Sequence, residues 1–141
     1  MKNLTTLTAA LLMVLSFSAF AADESNNQKL NMNYALKTYM DAVTHGKISG
    51  LSEILDTDVK FTNTRGNKII NYNKSEILRS FNDNQNIAQN CSTDYRVMEL
   101  NSTITIVKVV MKYEEFSKIS YVSMANTTKG WKITNVSSSY L

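Results

Sequence analysis

The chain has 141 residues, with 15 Lys and Arg against 12 Asp and Glu. Its formal charge of +3, with no basic run, does not point to a nucleic-acid partner. A single cysteine, Cys91, excludes an intrachain disulfide, and without a Cys-x-x-Cys or His/Cys cluster a structural zinc site is excluded too.

Lys2 precedes an apolar run from about Leu7 to Phe20, and Ala19-Phe20-Ala21 then places small residues around a cut before Ala22. A charged start, a short apolar run and small residues at the cut form a cleavable signal peptide over 1–21. Ser16 and Ser18 interrupt the run, and a membrane span needs about 20 apolar residues, so no span is expected after cleavage. The expected product is periplasmic or secreted and of bacterial character. In that setting the Asn-x-Ser/Thr triplets at Asn73, Asn90, Asn101, Asn126 and Asn135 carry no glycan meaning. Cys91 reads as a small buried apolar residue, with an intermolecular bridge as the alternative.

A polar leader covers 22–29, and 30–141 reads as one domain. Met32, Leu36, Tyr39, Met40 and Val43 follow steps of three and four, one face of a helix over Leu30 to Thr44, with Gly46 as its left-handed cap. A short helix is expected from Ser49 to Leu55. Val59 to Asn63 alternates like a strand, Arg65-Gly66-Asn67 turns, and Lys68 to Tyr72 returns. Asn73 with Glu76 three residues on is a capping-box pattern, and Ile77, Leu78 and Phe81 mark a third helical face. Four antiparallel strands follow: one around Tyr95, Val97 and Met98, one over Thr103 to Tyr113, one over Ile119 to Met124, and one from Trp131 to Tyr140.

The order ααββαββββ resembles the nuclear transport factor 2 superfamily, which includes ketosteroid isomerases, SnoaL-like cyclases, scytalone dehydratases and lumazine-binding-like bacterial proteins. The residues that carry the resemblance are Tyr39 to Lys47 at the end of the first helix, Leu51 to Phe61 into the first strand, Gly66 at the hairpin turn, and Gly130-Trp131-Lys132-Ile133 near the end. The resemblance implies an α+β, cystatin-like cone: a curved, mostly antiparallel sheet packed on three helices around an apolar pocket. It also implies a homodimer through the sheet.

Matched to the isomerases, Tyr39 takes the place of the pocket phenol and Asn63 the place of the catalytic base. Lys118 falls near the acid that holds the oxyanion. An Asn amide has no protonation near neutral pH and Lys118 is a cation, so the usual acid-base set is missing. His45, the only histidine, reads as a helix-end group with no visible partner. Asp41 and Asp58 are the weak catalytic candidates beside Tyr39; the usual exposure of such residues favours for them a structural role, in a solvated helix face and a strand-entering turn. Among Tyr34, Tyr39, Tyr95, Tyr113, Tyr121 and Trp131 the expected pocket walls are Tyr39, Tyr95, Tyr121 and Trp131, joined by Phe61, although ordinary packing explains any one of them. No phosphate loop, nucleophile elbow or metal motif occurs, so no cofactor is expected. The expected partner is a small apolar or aromatic ligand, bound without standard isomerase catalysis. A dehydratase or cyclase using Tyr39 with Asp41 or Asp58, and a protein-interaction module using the sheet face, are the alternatives.

Overall fold

Asn31 opens the described part of the chain, residues 31–141 of a computed structural model. The expected signal peptide, 1–21, the leader, 22–29, and Leu30 lie outside the described residues. The Asn31 side chain accepts from the Asn33 N–H and caps helix α1, Met32–His45, two residues later than the apolar period alone places its start. Ala35, Leu36, Tyr39 and Ala42 form its buried stripe.

Helix α2, Leu51–Ile54, is a single turn that buries Leu51 and Ile54. It runs straight into strand β1, Leu55–Arg65, which therefore begins four residues before the alternating stretch at Val59. The reason is tertiary: Leu55 pairs with Ile133, at the far end of the chain. Strand β2, Lys68–Tyr72, returns through Gly66, and the capping box of Asn73 and Glu76 starts helix α3, Lys74–Asp83. Strands β3, Ser92–Leu100, β4, Ile104–Lys112, β5, Ser117–Thr127, and β6, Gly130–Tyr140, complete the expected order.

The six strands form one sheet in the order β2-β1-β6-β5-β4-β3. Only β1 and β6 run parallel; every other neighbouring pair is antiparallel. Register irregularities between Leu55 and Lys60, Val97 and Glu99, and Ser123 and Met124 bend the strands. The helices cover one face. Phe61, Val107, Val109, Val122 and Val136 point inward there and join the α1 stripe in a single core. Fully burying one such Val or Phe contributes about 1.5–3 kcal/mol relative to exposure.

The end of α1 is held by Gly46. Its φ of 65° lies in the left-handed region, and its N–H bonds back to the Ala42 carbonyl. A Cβ there would sit 2.6 Å from the Asn86 nitrogen and 2.7 Å from the Asn84 carbonyl oxygen. The Gly46 carbonyl accepts from the Asn86 N–H and the Thr44 carbonyl from the Gln89 N–H, so the loop after α3 lies directly on the end of α1. Gly66 also has positive φ, 56°, but nothing stands within 4 Å of its missing Cβ. Gly66→Ala is therefore expected to cost only the backbone term, about 1–2 kcal/mol. Gly46→Ala is expected to cost clearly more, because backbone must move as well. Urea unfolding of the two variants checks this; equal losses would contradict the close approach.

Candidate functional site

Two helices, three strands and a loop meet at one end of the sheet's covered face. The end of α1 supplies Ala42 and Val43, α3 supplies Ile77 and Phe81, and β4 supplies Met111, giving a pocket of about 300 Å³ an apolar floor. Its rim is polar: Asn63 from β1, Ser80 from α3, Gln89 from the clasped loop, Tyr113 after β4, and Lys118 from β5. The Tyr113 hydroxyl donates to Gln89 Oε1 at 3.1 Å, which fixes that side of the rim. Tyr113 also stacks on Phe116, ring centroids 4.5 Å apart. Burial raises the Tyr113 hydroxyl above its usual pKa, and Cys91 and Tyr140 add to the effect. No Asp or Glu lines this pocket.

The residues singled out in the sequence are spread across the fold. Tyr39 is 2% exposed and Phe61 is buried, so both belong to the core beneath the pocket. The Tyr39 hydroxyl lies beside Ser120, which shares a buried 2.7 Å hydrogen bond with Ser138. Burial holds the Tyr39 hydroxyl far above the ordinary tyrosine range, against the opposing influence of Ser120 and with that of Tyr140. Tyr95 is half exposed on β3 and faces α1 across a separate cleft of about 420 Å³. Asp41 lines that same cleft but forms a 2.6 Å ion pair with Lys37. This cleft is larger, yet only α1 and β3 wall it, and its one carboxylate is already paired.

Asp58 is exposed and shares a third cleft with Glu76. Tyr121 is exposed on the face of β5 opposite to Ser120 and Val122. Trp131 is half-buried at the start of β6, packed against the core. The structure thus brings Tyr95 and Asp41 into one cleft and keeps Tyr39, Asp41 and Asp58 in three different surroundings. His45 is exposed, its Nδ1 2.7 Å from Thr44 Oγ1. Cys91 is half-buried, 3.8 Å from the Thr93 hydroxyl. Asn63 and Lys118, the positions the resemblance assigns to base and acid, do open into the 300 Å³ pocket together. Gln89 carries no sequence signal, because only the Gly46 clasp brings its loop to the rim. Among the described residues, no three His, Cys, Asp or Glu side chains gather to hold a metal.

A family model described as "Putative lumazine-binding" matches residues 27–139. The chain belongs to this family. Its fold is that of the nuclear transport factor 2-like proteins. An NTF-2 like protein of unknown function from Silicibacter pomeroyi is 14% identical with a TM-score of 0.61, over 78% of this chain and 91% of that one. A protein of unknown function from Pectobacterium atrosepticum is 13% identical with a TM-score of 0.62, over 82% and 91%. An NTF2-like protein of unknown function in nutrient uptake from Rhodospirillum rubrum is 16% identical with a TM-score of 0.59, over 79% and 98%. At these identities the likeness is one of fold. No curated protein matches the chain.

The state of Tyr39 gives a pH test. Its hydroxyl ionises near 10 when unfolded and well above that when folded, so between those values the unfolded chain holds fewer protons. The stability linked to neutral Tyr39 is full below pH 10 and falls as pH rises further. Tyr39→Phe is expected to cost about 1 kcal/mol at pH 8 and to flatten the alkaline loss. Chemical denaturation at pH 8 to 11 measures both; an unchanged alkaline slope in the variant would place Tyr39 outside the core.

Proposed function

We propose that this domain binds a small, partly apolar molecule in the pocket at the end of α1, without acid-base isomerisation. The carrying observation is the pairing of an apolar floor of Ala42, Val43, Ile77, Phe81 and Met111 with a rim of hydrogen-bonding groups, Tyr113 and Gln89 among them held to each other. Orientation by a few polar groups over an apolar surface is how small-ligand sites work. The family description, lumazine-binding, agrees with a flat ring system as the occupant. Asn63, which the resemblance to the isomerases matches to their catalytic base, cannot accept and return a proton near neutral pH.

Ser80 is exposed and lies on the rim, so a bulky side chain there blocks the mouth without disturbing the core. Ser80→Trp is expected to abolish binding of aromatic fragments while changing stability by no more than about 0.5 kcal/mol. Methyl NMR titration, read at Met111 and Ile77, checks it. Fragments that shift these methyls equally in the blocked variant would refute the site.

Residues 1–21 have the pattern of an export signal. The uncovered sheet face carries Ile106, Val110, Ile119 and Tyr121 on adjacent strands β4 and β5, grouped around Lys108, and this face suits a second copy of this chain. Native mass spectrometry of the secreted fraction reads both features at once. The expected species begins at Ala22 and has twice the chain mass; an intact Met1 would refute export, and a monomer would refute the sheet dimer.

A further inference from the structure

Lys118 is the one charged side chain lining the pocket. In register it sits beside Met111 of β4 and Tyr140 of β6, so all three share the helix-covered face. Its Nζ lies 6.0 Å from the centroid of the Tyr140 ring, and the Arg65 guanidinium lies 4.4 Å from the same centroid. Lys118, which lines the pocket, thus shares one aromatic ring with a second cation, Arg65. Neither has a carboxylate: the ion pair among the described residues is Lys37 with Asp41. The carboxylates nearest in sequence, Glu114 and Glu115, are exposed in the turn between β4 and β5, and neither comes within ion-pair distance of Lys118.

The neutral rim groups complement this charge. Gln89 uses Oε1 to accept from Tyr113, which leaves its amide N–H groups to donate. Asn63 brings a second side-chain amide to the same space. A half-buried positive charge with amide donors beside it, above an apolar floor, complements an anion attached to an apolar body. The volume of about 300 Å³ suits one or two rings.

Resting on the binding reading above, we propose that the pocket selects a small aromatic carboxylate, its carboxylate paired with Lys118 and bonded by the amides of Asn63 and Gln89. The test uses matched acid and amide probes: benzoate with benzamide, phenylacetate with phenylacetamide, and 2-naphthoate with 2-naphthamide, titrated by NMR. The acid of a pair is expected to bind about tenfold more tightly than its amide. Lys118→Met should erase that preference while leaving the amide's affinity in place, and added salt should weaken only the acid. Equal binding of acid and amide to the unaltered protein, with Ser80→Trp blocking both, would overturn the selection of anions and leave the pocket reading standing. A preference for acids that survives Lys118→Met would overturn the role of Lys118. Absence of binding by all six probes would overturn the pocket reading and this inference with it.

Discussion

The contact between Gly46 and the loop at Asn84 to Ile87 decides the shape of the pocket. Helix α3 buries no residue fully and holds its place through half-buried Ile77, Leu78 and Phe81 and a Lys74 hydrogen bond to the Leu55 carbonyl. Such a helix needs a second anchor. The end of α1 supplies one, with two backbone hydrogen bonds at 3.0 and 2.7 Å and a helix cap that has no side chain in the way. The same contact carries Gln89 to the rim. A side chain at position 46 would therefore disturb the pocket as well as the helix end.

The sheet supplies the opposite wall, and its mixed character matters. Parallel pairing of β1 with β6 joins the first half of the domain to its last strand and sets Asn63 opposite Ser138. Antiparallel pairing of β6 with β5 then places Lys118 opposite Tyr140. Three strands distant in sequence thus deliver Asn63, Lys118 and Tyr140 to one end of one face. Under them, the interior is closed by Tyr39, Phe61 and the Ser120–Ser138 hydrogen bond. Packing fills the depth of the cone, and the open space left is near its mouth. This separates a buried phenol with a raised pKa from the groups a ligand would meet. It also shows why a perturbed tyrosine here reports stability more than chemistry.

Much of the fold was legible in the amino-acid order. The 3- and 4-residue steps around Tyr39, the glycine at 46, the Asn73 and Glu76 pair and the β-branched run from Thr103 are local signals. Local backbone preference and burial enforce them wherever they occur. The start of β1 was not legible, because Leu55 becomes a strand residue through Ile133, across most of the chain. The aromatic residues were poor guides to the pocket for a related reason. Tyr39, Tyr95 and Tyr121 differ little as letters, yet one is buried, one faces α1 and one faces away from the helices. Strand register chooses between the two faces, and a register is a pairing with another strand.

The sequence by itself determined the element order, the caps and the absence of an intrachain disulfide, since each depends on residue type or on neighbours a few positions away. Tertiary structure alone decided that Asn63, Gln89 and Lys118 share one rim and that Tyr39 lies beneath it. The physical reason is distance along the chain. Those groups come from β1, a loop after α3 and β5, and they converge only when the β1–β6 pairing and the Gly46 clasp bring their backbones together.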